Sequence, residues 1–145
     1  MTRAFLCFLL LSLGMISAGP LEAAPDALRE IRAVIDAQEA AWNRGDIDGF
    51  MAGYARAPQT AFVSGDEITR GWQTVRNRYA KKYDSPGKMG KLSFLGVTIT
   101  PLCDDVAMVL GSWSLRRKED HPHGKFTLLF RKLPEGWRIV LDHTS

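Results

Sequence analysis

The sequence predicts an α+β fold in which helices come first and long, bent antiparallel strands follow, with the helices on one face of the sheet. Two observations support this prediction. Before residue 85, apolar side chains recur mainly every three or four positions, whereas from Lys91 onward they alternate with polar ones. Turn residues such as Pro134-Glu135-Gly136 separate the alternating segments, as expected for consecutive strands of one sheet. The 145 residues suffice for one domain and carry no internal repeat.

The N-terminal segment has the composition of a secretory signal peptide. Arg3 precedes an almost unbroken apolar run, residues 4–16, and small residues follow it. The run is too short to span a bilayer as a permanent helix. We therefore expect a signal peptide over residues 1–18, with cleavage as late as residue 24 as an alternative. The mature protein is then expected to be periplasmic or secreted, without stable membrane association. An uncleaved membrane anchor is the competing interpretation.

The mature domain, expected over residues 26–145, begins with a long amphipathic helix. Asp26 is a suitable N-cap, and apolar residues recur at helical spacing as far as Trp42. This pattern predicts a helix over about residues 26–44, which Gly45 ends.

Two further helices are shorter. Asp46 can cap a second helix, which must end before Pro58 because the residue preceding proline avoids the helical conformation. A third helix is predicted over about residues 71–84 from the helical spacing of Trp72, Val75, Tyr79 and Tyr83. Residues 85–90 after it are expected to form a loop.

The strands begin with a short hairpin, residues 60–64 and 67–70, between the second and third helices. Later strands are predicted over residues 91–100, 106–118, 125–133 and 137–145. The apolar phase slips at Leu95-Gly96, which predicts a β-bulge there. The strand 106–118 is too long to be flat, and Gly111 in its middle is where we expect the strongest curvature.

The strand 137–145 is central to the prediction, because it carries two titratable residues and apolar residues on both faces. We expect it to close a curved sheet around a pocket. Strict alternation places on one face Trp137, Ile139, Leu141 and His143, and on the other Arg138, Val140, Asp142 and Thr144. Asp142 and His143 therefore point to opposite faces and cannot pair with each other.

The composition argues against several classes of function. The net charge is +3, and the densest basic group, Arg116-Arg117-Lys118, is followed at once by Glu119-Asp120, so we expect no nucleic-acid partner. Without the signal peptide Cys103 is the only thiol, which we interpret as a small apolar residue rather than a nucleophile. The turn His121-Pro122-His123 lacks the further ligands that zinc needs, so we expect no metal site and no cofactor.

Three motifs resemble the nuclear transport factor 2-like superfamily. These are Ala41-Trp42-Asn43-Arg44-Gly45-Asp46-Ile47-Asp48 with Phe50 and Tyr54, then Arg70-Gly71-Trp72, then Gly136-Trp137-Arg138-Ile139-Val140 with Asp142-His143-Thr144-Ser145. Within it, the chain is similar to the SnoaL-like and secreted bacterial group related to the calcium/calmodulin-dependent kinase II association domain. The resemblance implies a cystatin-like α+β barrel: a cone-shaped, curved antiparallel sheet wrapped around the long N-terminal helix, with a cavity at one end. It also implies dimers or larger rings that pack sheets together, and we expect a homodimer.

The residues that define two activities of this superfamily are replaced here. Steroid-isomerase members carry an aspartate base and an oxyanion-hole tyrosine, where this chain has Ser64 and Gln38. Kinase association domains line their cavity with arginines on the last three strands, where this chain has Ser112, Leu128 and Thr144. Neither the isomerase site nor the arginine-lined pocket therefore carries over.

Asp142 is the remaining candidate for a catalytic carboxylate. The association-domain pattern implies that Asp142 and Thr144 face the cavity, whereas His143 packs with Leu141 outside. Asp142 could then serve as a general base or as a hydrogen-bond acceptor for a ligand, with its pKa raised by burial. The alternative is a structural carboxylate that accepts bonds from backbone amides or from an arginine.

The expected ligand site combines aromatic and small polar side chains. Its expected lining residues are Tyr54, Phe62, Trp72, Tyr79, Ser112, Leu128, Asp142 and Thr144. Trp113 is expected on the opposite face, at a subunit interface.

Three hypotheses about function follow. The first is a ligand-binding homodimer that holds a small apolar or aromatic molecule. The second is an isomerase- or cyclase-type enzyme that uses Asp142 with a cavity tyrosine such as Tyr79. The third is a homo-oligomeric assembly module that works through its convex sheet.

Overall fold

The computed structural model describes residues 23–145, and the expected signal peptide, residues 1–18, lies outside them. The helices are α1 (Ala23–Asn43), α2 (Ile47–Met51), α3 (Trp72–Lys82) and α4 (Pro86–Met89). The strands are β1 (Ala61–Ser64), β2 (Glu67–Arg70), β3 (Lys91–Cys103), β4 (Val106–Arg116), β5 (His123–Leu133) and β6 (Gly136–Thr144). Within residues 23–145, every helix is too short or too polar to cross a membrane.

The six strands form one unclosed sheet in the order β2-β1-β6-β5-β4-β3. Strands β3 to β6 form the expected antiparallel meander, and β1 pairs with β2 as the expected hairpin. β1 also pairs with β6 in parallel, with Phe62 opposite Asp142. This pairing makes β6 an interior strand of the sheet. The predicted α+β fold, with helices before a curved sheet, is confirmed.

The long helix α1 fills the concave face of the sheet. Its fully buried residues Ile31 and Ile35 belong to one apolar cluster with Val109, Phe130 and Trp137 from the strands. Burial of a large apolar side chain contributes roughly 1.5–3 kcal/mol, so this cluster is the main attachment of the helix to the sheet.

Polar side chains of α1 also cover the backbone of the edge strand β3. The Asn43 carboxamide donates to the carbonyl of Leu92 at 2.9 Å and accepts from its amide at 2.7 Å. The Glu39 carboxylate accepts from the amide of Phe94 at 2.8 Å. These bonds occupy backbone groups that an edge strand otherwise leaves unpaired.

Two bulges bend the sheet. In β3 the pairing with β4 shifts between Leu95 and Thr98, and Gly96 has a φ of 60°, so the predicted bulge at Leu95-Gly96 is confirmed. A second bulge was not predicted. Leu129 pairs with Leu141 and Phe130 with Ile139, which leaves Val140 as the extra residue of β6.

The bulge at Val140 changes which residues of β6 point inward. Trp137 and Ile139 are buried, and the next buried residue is Asp142, whereas Leu141, which strict alternation places on the face of Ile139, is 36% exposed. The prediction of strict alternation along this strand is therefore wrong, because an inserted residue shifts every later side chain to the other face. Segment 85–90, expected to be a loop, contains α4.

Gly111 lies directly opposite Phe126 in the β4–β5 pair. A β-carbon at position 111 would overlap the Phe126 ring, which itself packs edge-on against Phe94 with centroids 5.4 Å apart. Glycine at this position therefore makes room for an aromatic side chain on the concave face. The expectation that it marks the strongest curvature stays a prediction.

We predict that Gly111→Ala lowers the free energy of unfolding by about 1–3 kcal/mol, the usual cost of overpacking a filled interior. Urea denaturation followed by far-UV circular dichroism measures the change. Gly87→Ala is the matched control, since a β-carbon there meets open space. Equal stabilities of Gly111→Ala and the control would contradict the packing argument.

Candidate functional site

A cavity of about 120 Å³ lies between the concave face of the sheet and helices α1, α2 and α3. Nine of its twenty lining residues are aromatic, so its walls are mainly ring faces and edges. Tyr79 is at the centre of the aromatic group. Its ring meets those of Phe50 and Phe62 edge-on at 5.2 and 5.5 Å, and it stacks with Tyr83 at 6.0 Å.

Asp142 supplies a buried carboxylate to this aromatic cavity. Asp142 is 4% exposed, and each of its two carboxylate oxygens accepts one hydrogen bond from a hydroxyl group. Tyr54 Oη donates to Oδ2 at 2.6 Å, and Thr144 Oγ1 donates to Oδ1 at 2.6 Å. The Tyr79 hydroxyl lies 3.5 Å from that of Tyr54 and extends the chain of polar groups. The arrangement is one carboxylate held by two neutral donors, with a further hydroxyl beside them.

The segment after α2 brings Tyr54 to Asp142. Asp46 caps this short helix by accepting from the amide of Gly49 at 2.7 Å, as the sequence predicts. The chain beyond is joined to β6 by two backbone bonds, from Ala55 N to Ile139 O and from Ile139 N to Gly53 O, both 2.9 Å. Because Tyr54 lies between the two bonded residues, its side chain is fixed against the inner face of β6.

Burial raises the pKa of the Asp142 carboxyl above its ordinary value, and the hydrogen bonds from Thr144 and Tyr54 lower it only in part. The pKa of Tyr54 and the pKa of Tyr79 both lie well above that of a free tyrosine. Burial is the largest cause for each, and the adjacent charge of Asp142 is the second. Both tyrosines therefore stay protonated and can only donate or share a neutral hydroxyl at physiological pH.

Most of the residues expected at a ligand site line this cavity, namely Tyr54, Phe62, Tyr79, Leu128, Asp142 and Thr144. Of the two tyrosine hydroxyls near Asp142, that of Tyr54 bonds it directly, whereas that of Tyr79 reaches Asp142 only through Tyr54. A role of these residues in binding or catalysis stays a prediction.

Ser112 and Trp72 do not line the cavity, and their expected placement is wrong. In β4 the residues that face inward are those paired with Phe94 and Phe126, so Trp113 points inward and Ser112 outward. The Ser112 hydroxyl instead accepts from Lys125 Nζ at 2.7 Å. The Trp72 indole donates to the carbonyl of Met51 at 3.0 Å and so joins α3 to α2.

Trp113 was expected at an outward subunit interface and instead lines the cavity, where its indole donates to the Ser145 carbonyl oxygen at 3.1 Å. Two cations of α3, Arg78 and Lys82, also line it and were missed. The available signal was the position of Lys82, which lies three residues after Tyr79 and four after Arg78, since residues three or four apart share a helix face.

The remaining chemical candidates lie apart from the cavity. His121 Nε2 lies 2.6 Å from Ser114 Oγ, and His123 Nδ1 lies 3.0 Å from the carbonyl oxygen of His121. Cys103 is exposed, and its thiol donates to Asp105 at 3.2 Å. Nowhere in residues 23–145 do three or more His, Cys, Asp or Glu side chains form a group that could hold a metal ion.

The family model of the SnoaL-like domain matches residues 31–145, which include every element from most of α1 to β6. The chain belongs to the SnoaL-like domain family. The resemblance stated from the motifs is thereby confirmed. Among curated proteins, none matches the chain.

Solved structures similar to this SnoaL-like domain include three bacterial proteins. An NTF-2 like protein of unknown function from Shewanella oneidensis is 38% identical, with a TM-score of 0.78 over 81% of this chain and 98% of that one. A nuclear transport factor 2 (NTF2-like) superfamily protein from Salmonella enterica is 21% identical, with a TM-score of 0.68 over 84% and 92%. A candidate calcium/calmodulin-dependent protein kinase type II association domain from Thiobacillus denitrificans is 24% identical, with a TM-score of 0.67 over 79% and 92%. The similarity of the Salmonella and Thiobacillus proteins to this chain shows a shared fold alone.

We predict that Asp142→Asn becomes progressively more stable relative to the wild type as pH rises above the ordinary carboxyl pKa of about 4 toward the raised native pKa. Below the ordinary carboxyl pKa, Asp142 of the wild type is protonated in both the native and the unfolded state. Between that pKa and the raised native pKa, only the unfolded state releases the proton, so wild-type stability is lost. Each tenfold difference in proton affinity corresponds to about 1.4 kcal/mol. Urea denaturation across this pH range measures the difference between the two proteins.

Asp66 is exposed, and Asp66→Asn is the control. The difference in free energy of unfolding between Asp66→Asn and the wild type should not rise with pH in this way. A difference between Asp142→Asn and the wild type that stays constant with pH would mean that Asp142 ionises as readily in the native state as in the unfolded chain.

Proposed function

We propose that this SnoaL-like domain binds a small, largely apolar or aromatic molecule in the aromatic cavity, and that it does so in the periplasm or after secretion. The observation that carries the proposal is a cavity walled by rings with a few convergent polar groups: Asp142, Tyr54, Tyr79 and Thr144. Ligand sites of proteins commonly have this composition, in which apolar walls supply affinity and a few polar groups supply orientation. The location rests on the signal-like composition of residues 1–18.

The volume limits the size of the ligand. About 120 Å³ is close to the roughly 150 Å³ of an apolar cavity that holds one benzene molecule. A single ring with one or two short substituents fits this space, whereas a fused polycyclic molecule exceeds it. A hydroxyl or amide on the inner side of such a ring can donate to Asp142 or bond the Tyr79 hydroxyl.

Benzyl alcohol is a suitable probe, and two-dimensional NMR of the tryptophan indole groups locates its binding. Trp42 and Trp113 line the cavity, whereas Trp72 and Trp137 do not. We predict that benzyl alcohol shifts the indole resonances of the first pair and leaves those of the second pair in place. Leu128→Trp, which fills the cavity, should weaken binding by about tenfold or more, equivalent to about 1.4 kcal/mol.

Leu129→Trp is the matched control, because the neighbouring residue on β5 points to the other face of the sheet. It should bind the probe like the wild type. Binding that Leu128→Trp leaves intact, or resonance shifts confined to Trp72 and Trp137, would place the probe outside the cavity and contradict the proposal. Native mass spectrometry of protein from its source then identifies the retained molecule.

A second candidate function is catalysis of an isomerase or cyclase type. It is favoured by one observation, namely a buried carboxylate with a raised pKa in contact with a tyrosine hydroxyl at the wall of a cavity. A general base works best when its pKa is close to the ambient pH. If Asp142 is such a base, Asp142→Asn abolishes turnover of the retained molecule while changing its affinity only modestly; in a simple binding protein only the modest change occurs.

The convex face of the sheet supports a third element of the proposal, a homodimer. Side chains on this outer face form a cross-strand row, because Leu110, Thr127, His143, Val63 and Ile68 are successive partners in the pairing. The ends of the row are exposed apolar residues, Leu110 at 43% and Ile68 at 52%. The row crosses five strands and has Thr127 and His143 between its apolar ends. Exposed apolar residues on one face of a sheet are typical of a surface covered by a second subunit.

We predict that Leu110→Glu shifts the protein from dimer to monomer at micromolar concentration, because a charge at this apolar position of the interface must be desolvated without a partner. Analytical ultracentrifugation measures the mass. Leu28→Glu on α1, where the wild-type leucine is also partly exposed at 37%, is the control and should leave the dimer intact. A wild-type protein that sediments as a monomer at high concentration rules out this part of the proposal.

A further inference from the structure

Two cations of α3 lie where the aromatic cavity meets solvent. Lys82 is an exposed residue that nonetheless lines the cavity, and the Arg78 side chain is 27% exposed. Each cationic group lies against an aromatic ring of the wall: the Arg78 guanidinium is 5.1 Å from the centroid of Phe62, and Lys82 Nζ is 5.4 Å from that of Tyr83. The rings thus hold both positive charges at the rim of the cavity.

The charges of the lining are unevenly distributed. Asp142 is the only acidic side chain among the lining residues, and both of its oxygens already accept hydroxyl groups. Arg78 pairs with Glu67 at 2.7 Å, but that carboxylate is 60% exposed, and an ion pair of this kind is weak. Lys82 makes no salt bridge within residues 23–145. The rim therefore offers the unpaired charge of Lys82 and the weakly paired charge of Arg78 above an apolar interior.

Arg117 adds to the same field. Its guanidinium lies 5.9 Å from the centroid of the Tyr83 ring, and its ion pair with Asp120 is long, at 3.5 Å. Three cations thus approach one side of the aromatic wall. A rim of this sign attracts anions from solution and repels cations, and low-dielectric walls focus the field toward the opening.

We propose that the ligand is a small organic anion, a single ring bearing one carboxylate or similar group, with the ring in the aromatic cavity and the negative group between Arg78 and Lys82. This inference rests on the proposed binding function and specifies the chemistry of its ligand. The ring occupies the space that about 120 Å³ allows. The anion stays at the solvent-exposed rim, where it keeps part of its hydration and avoids the buried carboxylate of Asp142.

An ammonium ligand is the opposite possibility, because aromatic walls with a carboxylate also suit a cation. The rim argues against it. Arg78 and Lys82 already occupy the exposed approaches to Phe62 and Tyr83, so an entering ammonium would meet like charges before it reached any ring. The preference for an anion over an ammonium ion therefore depends on the repulsion of the ammonium ion as much as on the attraction of the anion.

Benzoate, benzamide and benzylamine test the assignment, since they share a ring and differ in charge. Isothermal titration calorimetry of the full mature chain at low ionic strength should give benzoate at least about tenfold higher affinity than benzamide, and benzylamine the lowest affinity. The preference for benzoate should shrink as salt is added, because the rim is solvent-exposed and its charges are screened.

Lys82→Gln should reduce the preference for benzoate over benzamide by about threefold or more, and Lys82→Glu should reverse it. Lys81→Gln is the matched control, because it removes the same charge from an adjacent exposed residue outside the lining and should leave the preference unchanged. Equal affinities for benzoate and benzamide, or equal effects of Lys81→Gln and Lys82→Gln, overturn the anion assignment while the binding function stands. No binding of any of the three compounds, together with none of benzyl alcohol, overturns the binding function itself.

Discussion

The extra residue Val140 in β6 is the constraint on which the site depends. β6 lies between β1 and β5 in the interior of the sheet, so its pairing cannot relax at an edge. On the N-terminal side of the bulge, Ile139 holds the segment after α2 by two backbone hydrogen bonds. On its C-terminal side, Asp142 points into the cavity. Without the inserted residue, Ile139 and Leu141 would face inward together, and the only acidic side chain of the cavity would point to the convex face.

A carboxylate placed in such a cavity has to be tolerated by its surroundings. Ionised side chains in an apolar interior are costly unless hydrogen bonds or a counter-charge compensate them. Here the compensation comes from the neutral hydroxyls of Tyr54 and Thr144, and the two cations of the lining, Arg78 and Lys82, lie at the rim. Natural proteins retain such costly groups chiefly where they serve a function, which is why both binding and catalysis are reasonable roles for Asp142.

Periodicity was enough to predict helices α1 to α3, the short hairpin and the four long strands, because each has a helical or alternating pattern. It also located the bulge at Leu95-Gly96, where the apolar phase visibly slips. It missed the bulge at Val140, since residues 137–144 alternate well in either phase. The orientations of Ser112 and Trp113 were predicted the wrong way round for a related reason. The face of β4 that turns inward is set by its pairing with β3 and β5, which a single sequence does not reveal. Arg78 and Lys82 were missed because cations are usually solvated, and only the fold places them over the cavity.

The cover that α1 provides for β3 has a consequence for assembly of the fold. Side chains of Asn43 and Glu39 occupy backbone groups of Leu92 and Phe94 that would otherwise be free to pair with another chain. A folding intermediate in which the meander has formed but the helix has not yet docked would present an open β-strand edge. Two such intermediates could add to each other edge to edge and begin an aggregate, so early docking of α1 protects the nascent protein from its own sheet.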